Sequence, residues 1–350
     1  MAMVIGGTPV GDDQPPFVIA EMSGNHNGSL DHALAIVDMV AESGAHAVKL
    51  QTYTADTMTL DIERDEFVIN DPESLWRGRS LYSLYEEAHT PWEWHEPIMR
   101  RATERGLLCF SSPFDDSAVE FLDSLGVPCF KIASFECIDL PLIRKAAETG
   151  KPLIISTGMA SLEEIDDAVA AARGAGCEQL ALLKCTSSYP ASPTDSHLRT
   201  IPALRERFGF EVGLSDHTLG IGAAIASVAL GATLIEKHVT MARSDGGVDS
   251  AFSLEPAELT ALVVESERAR QAVGTVHYGP GEREAGGATR RRSLYIAEDL
   301  KVGDVLTPTN LRRIRPGLGL APKHYDELLG RRVTQDVQRG TPMSWDLVER

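Results

Sequence analysis

Between residue 17 and about residue 272, short runs of apolar and β-branched residues recur eight times, separated by longer stretches with helical spacing. The runs fall at 17–21, 47–51, 107–111, 129–132, 153–156, 180–184, 211–214 and 234–238. Stretches at 30–43, 117–125, 140–149 and 162–175 carry the helical pattern, and Ser161-Leu-Glu-Glu164 is a capping box at the start of the last. Eight strand–helix units over roughly 250 residues predict an α/β chain folded as a (β/α)8 TIM barrel. An open doubly wound sheet would want a Gly-rich dinucleotide turn after its first strand. Glu21-Met-Ser-Gly-Asn-His-Asn-Gly28 is not of the GxGxxG form, so the barrel is preferred.

The rhythm divides the chain. Residues 1–273 are expected to form the barrel domain, with an insertion at about 52–90 between the second and third strands, rich in charge and aromatics. Loops of that length usually act as a lid or binding segment, or else pack on the barrel rim. Residues 274–292, rich in Gly, Arg and Glu, are expected as a linker ending in a solvated or inter-domain run, Arg290–Arg292. Residues 293–350 are expected as a small β-rich domain. Two phrases there, Asp299-Leu-Lys-Val-Gly303 and Asp336-Val-Gln-Arg-Gly340, form a pseudo-repeat. A domain of this size is near the lower limit for folding alone and should lean on the barrel or a partner chain.

A net charge of −18 argues against nucleic acid or an anionic membrane surface as partner. No apolar run approaches the roughly 20 residues of a membrane span, and the N-terminus lacks a signal-peptide pattern, so a cytoplasmic protein is expected. The five cysteines include no CxxC pair and are read as buried structural thiols of a reducing compartment.

In a barrel, function sits at the C-terminal ends of the strands, and these ends are polar in all eight units. They carry Glu21, Lys49 with Gln51, Ser111-Ser112, Lys131 with Ser134, Ser156, Lys184 with Ser187 and Tyr189, Ser215-Asp216-His217, and Glu236-Lys237-His238. His217 and His238 lie one unit apart, which sets them side by side, and closure brings Glu21 toward them. Two imidazoles with nearby oxygens suit Mn²⁺, Fe²⁺ or Zn²⁺; ordinary hydrogen-bonded histidines are the alternative. Lys49, Lys131 and Lys184 stand on alternate strands, so at least two ammonium groups should converge. Buried like charges call for an anion, and the Ser/Thr/Gly turns supply donors for a phosphate. A Schiff-base lysine or structural ion pairs are the competing readings. The cluster His89-Thr-Pro-Trp-Glu-Trp-His95 reads as a helix start on the rim.

These phrases resemble a known family. Ile19-Ala-Glu-Met-Ser-Gly-Asn-His-Asn-Gly28, Lys49-Leu-Gln-Thr52, Lys131-Ile-Ala-Ser134, Ser156-Thr-Gly-Met159, Gly213-Leu-Ser-Asp-His217 and Glu236-Lys-His238 are similar to the motifs of sialic acid synthases. Arg315-Pro-Gly-Leu-Gly and Leu329-Gly-Arg are similar to the antifreeze-like (SAF) domain that follows the barrel in that family. Within it, 75–85, 90–95 and Phe110-Ser-Ser-Pro-Phe114 look closest to the pseudaminic acid branch. The resemblance implies an enzyme that condenses phosphoenolpyruvate with an amino-sugar aldehyde. It implies that His217 and His238 hold a divalent metal ion, Mn²⁺ foremost with Mg²⁺ or Co²⁺ possible. Lys49, Ser112, Lys131, Ser134, Ser156, Ser187 and Ser215 would then cradle phosphoenolpyruvate, Ser187 standing where the family usually has Asn. Glu21, Tyr189 and Asp249 would face the sugar, and Arg315 would reach it from the other subunit of a domain-swapped homodimer. The rivals are the same chemistry on N-acetylmannosamine or a legionaminic precursor, a Schiff-base aldolase, and a non-catalytic carbohydrate-binding protein.

Overall fold

A closed barrel of eight parallel strands organises the chain, seen in a computed structural model that describes residues 3–72 and 74–349. The chain divides into two compact units, Met1–Gly274 and Thr275–Arg350. The first opens with a hairpin of β1 (Met3–Ile5) and β2 (Thr8–Val10). The barrel strands follow as β3 (Phe17–Glu21), β4 (Ala47–Thr52), β5 (Leu108–Pro113), β6 (Phe130–Ile132), β7 (Leu153–Ser156), β8 (Leu180–Cys185), β9 (Glu211–Asp216) and β10 (Leu234–His238). They pair in chain order, and β10 closes on β3 with His238 opposite Glu21. The predicted TIM barrel is therefore the observed one. All eight sequence-predicted strands appear, several shifted or extended at an end; β4, β8 and β9 run on into the polar residues at their ends.

Local chemistry sets the helix boundaries. The helix Leu30–Ser43 starts where the Ser29 side chain accepts from His32 N, and it stops at Gly44, whose φ of 80° few other residues adopt. The capping box at Ser161 and Glu164 starts Leu162–Gly174. The barrel core is built from strand residues such as Phe17, Ile19, Phe110, Phe130, Ile132 and Leu182, all almost fully buried.

The N-terminal hairpin lies outside the sequence expectation. Its turn, Gly6-Gly7, holds φ of 53° and 85°, and Met3, Ile5 and Val10 pack into the barrel core. Gly6 approaches Leu108 and Pro128, and Val4 N donates to Gln179 Oε1 at 2.7 Å. Each of these three lies at or just before the start of a strand, so the hairpin caps the barrel end opposite the polar mouth.

In the second unit, β11 (Ser293–Ile296) pairs antiparallel with β12 (Leu311–Ile314) around a core that includes Leu294, Leu306, Leu328 and Met343. The pseudo-repeat has a physical basis. Val302 N donates to Asp336 Oδ1 (2.9 Å) and Arg339 N donates to Asp299 Oδ1 (2.7 Å), so each phrase's aspartate holds the other's turn. Gly303 and Gly340 both take a φ of 88°. Residues 274–292 contain a 3-10 helix, Glu282–Arg290. No helix among the described residues is long and apolar enough to cross a membrane.

Candidate active site

The polar strand ends converge on one carboxylate. Glu236, buried on β10, has Lys49 Nζ 3.6 Å from Oε1 and Lys131 Nζ 3.9 Å from Oε2, and it accepts from Ser215 Oγ at 3.3 Å. Lys49 also contacts Glu21, which accepts from Gln51 Nε2 at 3.0 Å, and Lys49 donates to Ser112 Oγ at 3.2 Å. Lys131 donates to Ser156 Oγ (2.7 Å) and to its neighbour's carbonyl at Ile132 (3.0 Å). Burial opposes the charge on Lys49, but Glu21 and Glu236 outweigh it and raise its pKa. Lys131 goes the other way. Burial dominates, the Lys49 charge adds to it, and the more distant Glu236 does not compensate. The pair thus has the carboxylates that a structural reading requires, yet Lys131 remains under-compensated. Lys184 does not join them; its Nζ donates to Cys185 O (2.6 Å) and Thr186 Oγ1 (3.2 Å).

Beside Lys131 the backbone leaves a hollow. A Cβ on Gly158 would stand 2.2 Å from Ser187 Oγ and 2.8 Å from Ser134 Oγ, so only glycine lets these two hydroxyls face each other across the turn after β7. Ser187 Oγ lies 3.8 Å from Cys185 Sγ. Burial would raise the Cys185 thiol, but His217 and Lys131 reverse this and bring it to about 7.

The other side of the mouth is aromatic. The rings of His217 and His238 stand 5.3 Å apart, Tyr189 lies 4.5 Å from His217, and Phe252 lies 5.0 Å from His238. His217 Nδ1 is 2.9 Å from Thr186 O, a contact in which the ring nitrogen must donate, leaving Nε2 as a lone-pair donor. His238 Nδ1 is buried without an aligned hydrogen bond, 3.4 Å from Asp249 Oδ2. Among the described residues no group of three or more His, Cys, Asp or Glu side chains forms a metal cage. The donors a divalent ion would meet here are the imidazoles of His217 and His238, the latter with a buried nitrogen that has no hydrogen-bond partner, and its other positions would fall to oxygens of substrate or water. Outside the barrel wall, Lys237 Nζ donates to Asp216 Oδ2 (2.9 Å), Thr218 O (2.6 Å) and Gly220 O (2.9 Å). This clasp fixes the loop that carries His217.

Residues 36–278 match the model of the NeuB family, and residues 291–349 match that of the SAF domain. The chain belongs to the NeuB family. It is 42% identical to pseudaminic acid synthase of Campylobacter jejuni subsp. jejuni serotype O:23/36 (strain 81-176) over 94% of this chain and 95% of that protein. It is 36% identical to N,N'-diacetyllegionaminic acid synthase of Legionella pneumophila over 98% of each. Among solved structures it is similar to an N-acetylneuraminic acid synthetase from Leptospira borgpetersenii in complex with citrate, with a TM-score of 0.73 and 33% identity, covering 82% of this chain and 95% of that one.

In this NeuB chain the barrel mouth gathers Glu21, Lys49, Ser112, Lys131, Ser134, Ser156, Ser187, Tyr189, Ser215, His217, His238 and Asp249. Arg315 lies in the second unit, exposed, directly after β12. Sequence reasoning left several neighbours out of the site. Glu236 was named among the polar strand ends but was given no role. Asn25 donates to Val239 O (2.8 Å) and accepts from Asp249 N (3.2 Å), locking the first and last loops together. Glu136, two residues past Ser134, has its Oε2 buried without a hydrogen-bond partner, and burial raises its pKa to about 7. Trp76, from the insertion, donates its Nε1 to Val248 O at 3.1 Å, and its ring lies 5.8 Å from Tyr189.

Proposed function

We propose that this chain is a phosphoenolpyruvate-dependent nonulosonate synthase that condenses phosphoenolpyruvate, 2,4-diacetamido-2,4,6-trideoxy-L-altrose and water to give pseudaminic acid and phosphate. One observation carries the reaction class: Lys49 and Lys131 are buried together amid serine hydroxyls and share Glu236, a residue of the strand that carries His238, whose imidazole stands beside that of His217. A small dianion would supply the compensation that Lys131 lacks, and the aromatic side offers ring surface to a neutral partner. The 42% identity to a pseudaminic acid synthase supports the sugar. The 36% identity to a legionaminic acid synthase keeps that acceptor, and N-acetylmannosamine with it, as the second reading.

In this proposal Lys49, Lys131, Ser112, Ser134, Ser156, Ser187 and Ser215 bind the carboxylate and phosphate of phosphoenolpyruvate and hold C3 toward the aldehyde carbon. A divalent ion, Mn²⁺ foremost, would be held by His217 and His238 and would polarise the aldehyde oxygen. Tyr189 and Asp249 orient the sugar. The C2=C3 electron pair of phosphoenolpyruvate bonds C3 to the aldehyde carbon, whose oxygen ends as a hydroxyl; water adds at the cationic C2, and as the C2–O bond to phosphate breaks the added oxygen gives up its second proton, net to the new hydroxyl, and becomes the ketone. Glu21, facing the Lys49 ammonium, takes the proton of that water. Holding both reactants in one desolvated mouth supplies much of the rate.

We place the reaction in the cytoplasm, in a homodimer whose sugar site is completed by the partner subunit's Arg315. A monomer in analytical ultracentrifugation at assay concentration would remove that last element. The deciding experiment is phosphate release from phosphoenolpyruvate with Mn²⁺ and a panel of sugars. Release with the trideoxy diacetamido sugar alone supports the full reading. Release with N-acetylmannosamine alone moves the acceptor and keeps the chemistry. Release with none of them overturns the reaction.

A further inference from the structure

The insertion between β4 and β5 separates two strands that are hydrogen-bonded neighbours, so the barrel does not need it. It reaches the mouth all the same. Its last helix, Leu81–Ala88, ends against the turn after β3, where a Cβ on Gly24 would meet Val248 Cγ2 at 2.7 Å and the Ala88 backbone at 3.1 Å. The loop after β10 is clamped there as well. A Cβ on Gly247 would stand 2.6 Å from Asn27 Oδ1 and 2.8 Å from Asn25 Oδ1. Three chain segments thus meet with no space to spare, and Trp76 is hung at that junction.

The indole nitrogen is used up by Val248 O, so what Trp76 offers to a ligand is ring surface. It is half-buried, and it leans on Tyr189, which leans on His217. Val248 precedes Asp249, which faces His238. Trp76 is therefore coupled through a ring contact to one imidazole and through one backbone step to the neighbour of the other. Lys49 and Lys131, by contrast, contact carboxylate, hydroxyl and carbonyl oxygens.

We infer that Trp76 is a specificity-determining residue, reading apolar groups of the acceptor sugar against the aromatic side of the mouth. The inference rests on the proposed acceptor class. A sugar bearing acetamido methyls and a deoxy carbon presents methyl and C–H faces that ring surface removes from water, whereas a hydroxylated sugar presents groups the ring cannot hydrogen-bond. Phosphoenolpyruvate, small and dianionic, has no such face and belongs to the lysine side.

The test is steady-state kinetics of the full chain and of Trp76→Ala and Trp76→Phe, with each sugar of the panel and with phosphoenolpyruvate varied separately. Trp76→Ala should lower kcat/KM for the preferred sugar about 10- to 100-fold, chiefly through its KM, with the KM of phosphoenolpyruvate within about twofold. Trp76→Phe keeps a ring but loses the tether to Val248, and it should recover most of the loss. Equal losses for both substrates in either variant, or no loss for the sugar, would overturn the role of Trp76. If the parent chain prefers N-acetylmannosamine, the proposed acceptor fails; Trp76 then stands or falls on the same split measured with that sugar. If the parent releases no phosphate with any sugar, the reaction and the inference fall together.

Discussion

Lys49 Nζ lies 3.6 Å from Glu236 Oε1 at the centre of the barrel mouth, beyond hydrogen-bond length yet close enough for strong Coulombic attraction. With Lys131 on the other oxygen, Glu236 keeps two buried cations together. Glu236→Leu should cost about 3–5 kcal/mol in urea unfolding, because both ammonium groups lose a shared counter-charge. Phosphoenolpyruvate should raise the Tm of this variant more than that of the parent, since the dianion binds more tightly to lysines that have lost the Glu236 charge. A variant as stable as the parent would mean that the lysines are compensated from elsewhere.

The two imidazoles should be indispensable to turnover and dispensable to folding. His217→Ala and His238→Ala are each expected to lose about 100-fold or more in kcat with a parent-like circular dichroism spectrum. Equilibrium dialysis should find one Mn²⁺ bound per parent chain and none bound to either variant. Full activity after exhaustive chelation would remove the ion from the mechanism.

Glu136 makes stability depend on pH. Its folded pKa of about 7 lies above the ordinary value of 4.5, so the folded state binds its proton more tightly. That contribution is fully present below about pH 4.5 and is lost as pH rises through 7. The parent should therefore lose stability across this window, on the order of 2–3 kcal/mol, relative to Glu136→Gln. Parallel unfolding curves for the two chains at pH 5 and pH 8 would contradict it.

Gly158→Ala tests the hollow between Ser134 and Ser187. The added methyl must push both hydroxyls aside, so the KM of phosphoenolpyruvate should rise on the order of 10- to 100-fold while the sugar KM changes little. Unchanged kinetics would show that these serines do not touch the donor.

Much of this was readable before any coordinates. The strands are short apolar runs because both faces of a parallel barrel are covered, and Glu21, Lys49, Lys131, His217 and His238 stood out as polar residues at their ends. The hairpin Met3–Val10 escaped because two three-residue strands carry too little alternation to register, although Gly6-Gly7 was a fair turn signal. Gly158 looked like an ordinary loop glycine, since its importance lies in two hydroxyls 24 and 29 residues away. The clasp between Lys237 and Asp216 depends on side-chain alternation, which turns Lys237 outward between two inward neighbours. Trp76 lay in 75–85, a stretch that pointed to the pseudaminic branch, but nothing in a 39-residue insertion tells which of its residues reaches Val248, 172 positions along the chain.

The place where Trp76 is anchored bears on how such an enzyme could change. Lengthening or shortening the segment between β4 and β5 leaves the pairing of Lys49 with Phe110 untouched, and loop closure grows costlier only slowly with length. Most residues of the proposed donor site, by contrast, Lys49, Ser112, Lys131, Ser156 and Ser215, stand within barrel strands, where a one-residue slip would turn every side chain to the wrong face. Acceptor preference is thus open to insertion, deletion and grafting, while the handling of the three-carbon donor can drift only by single substitutions.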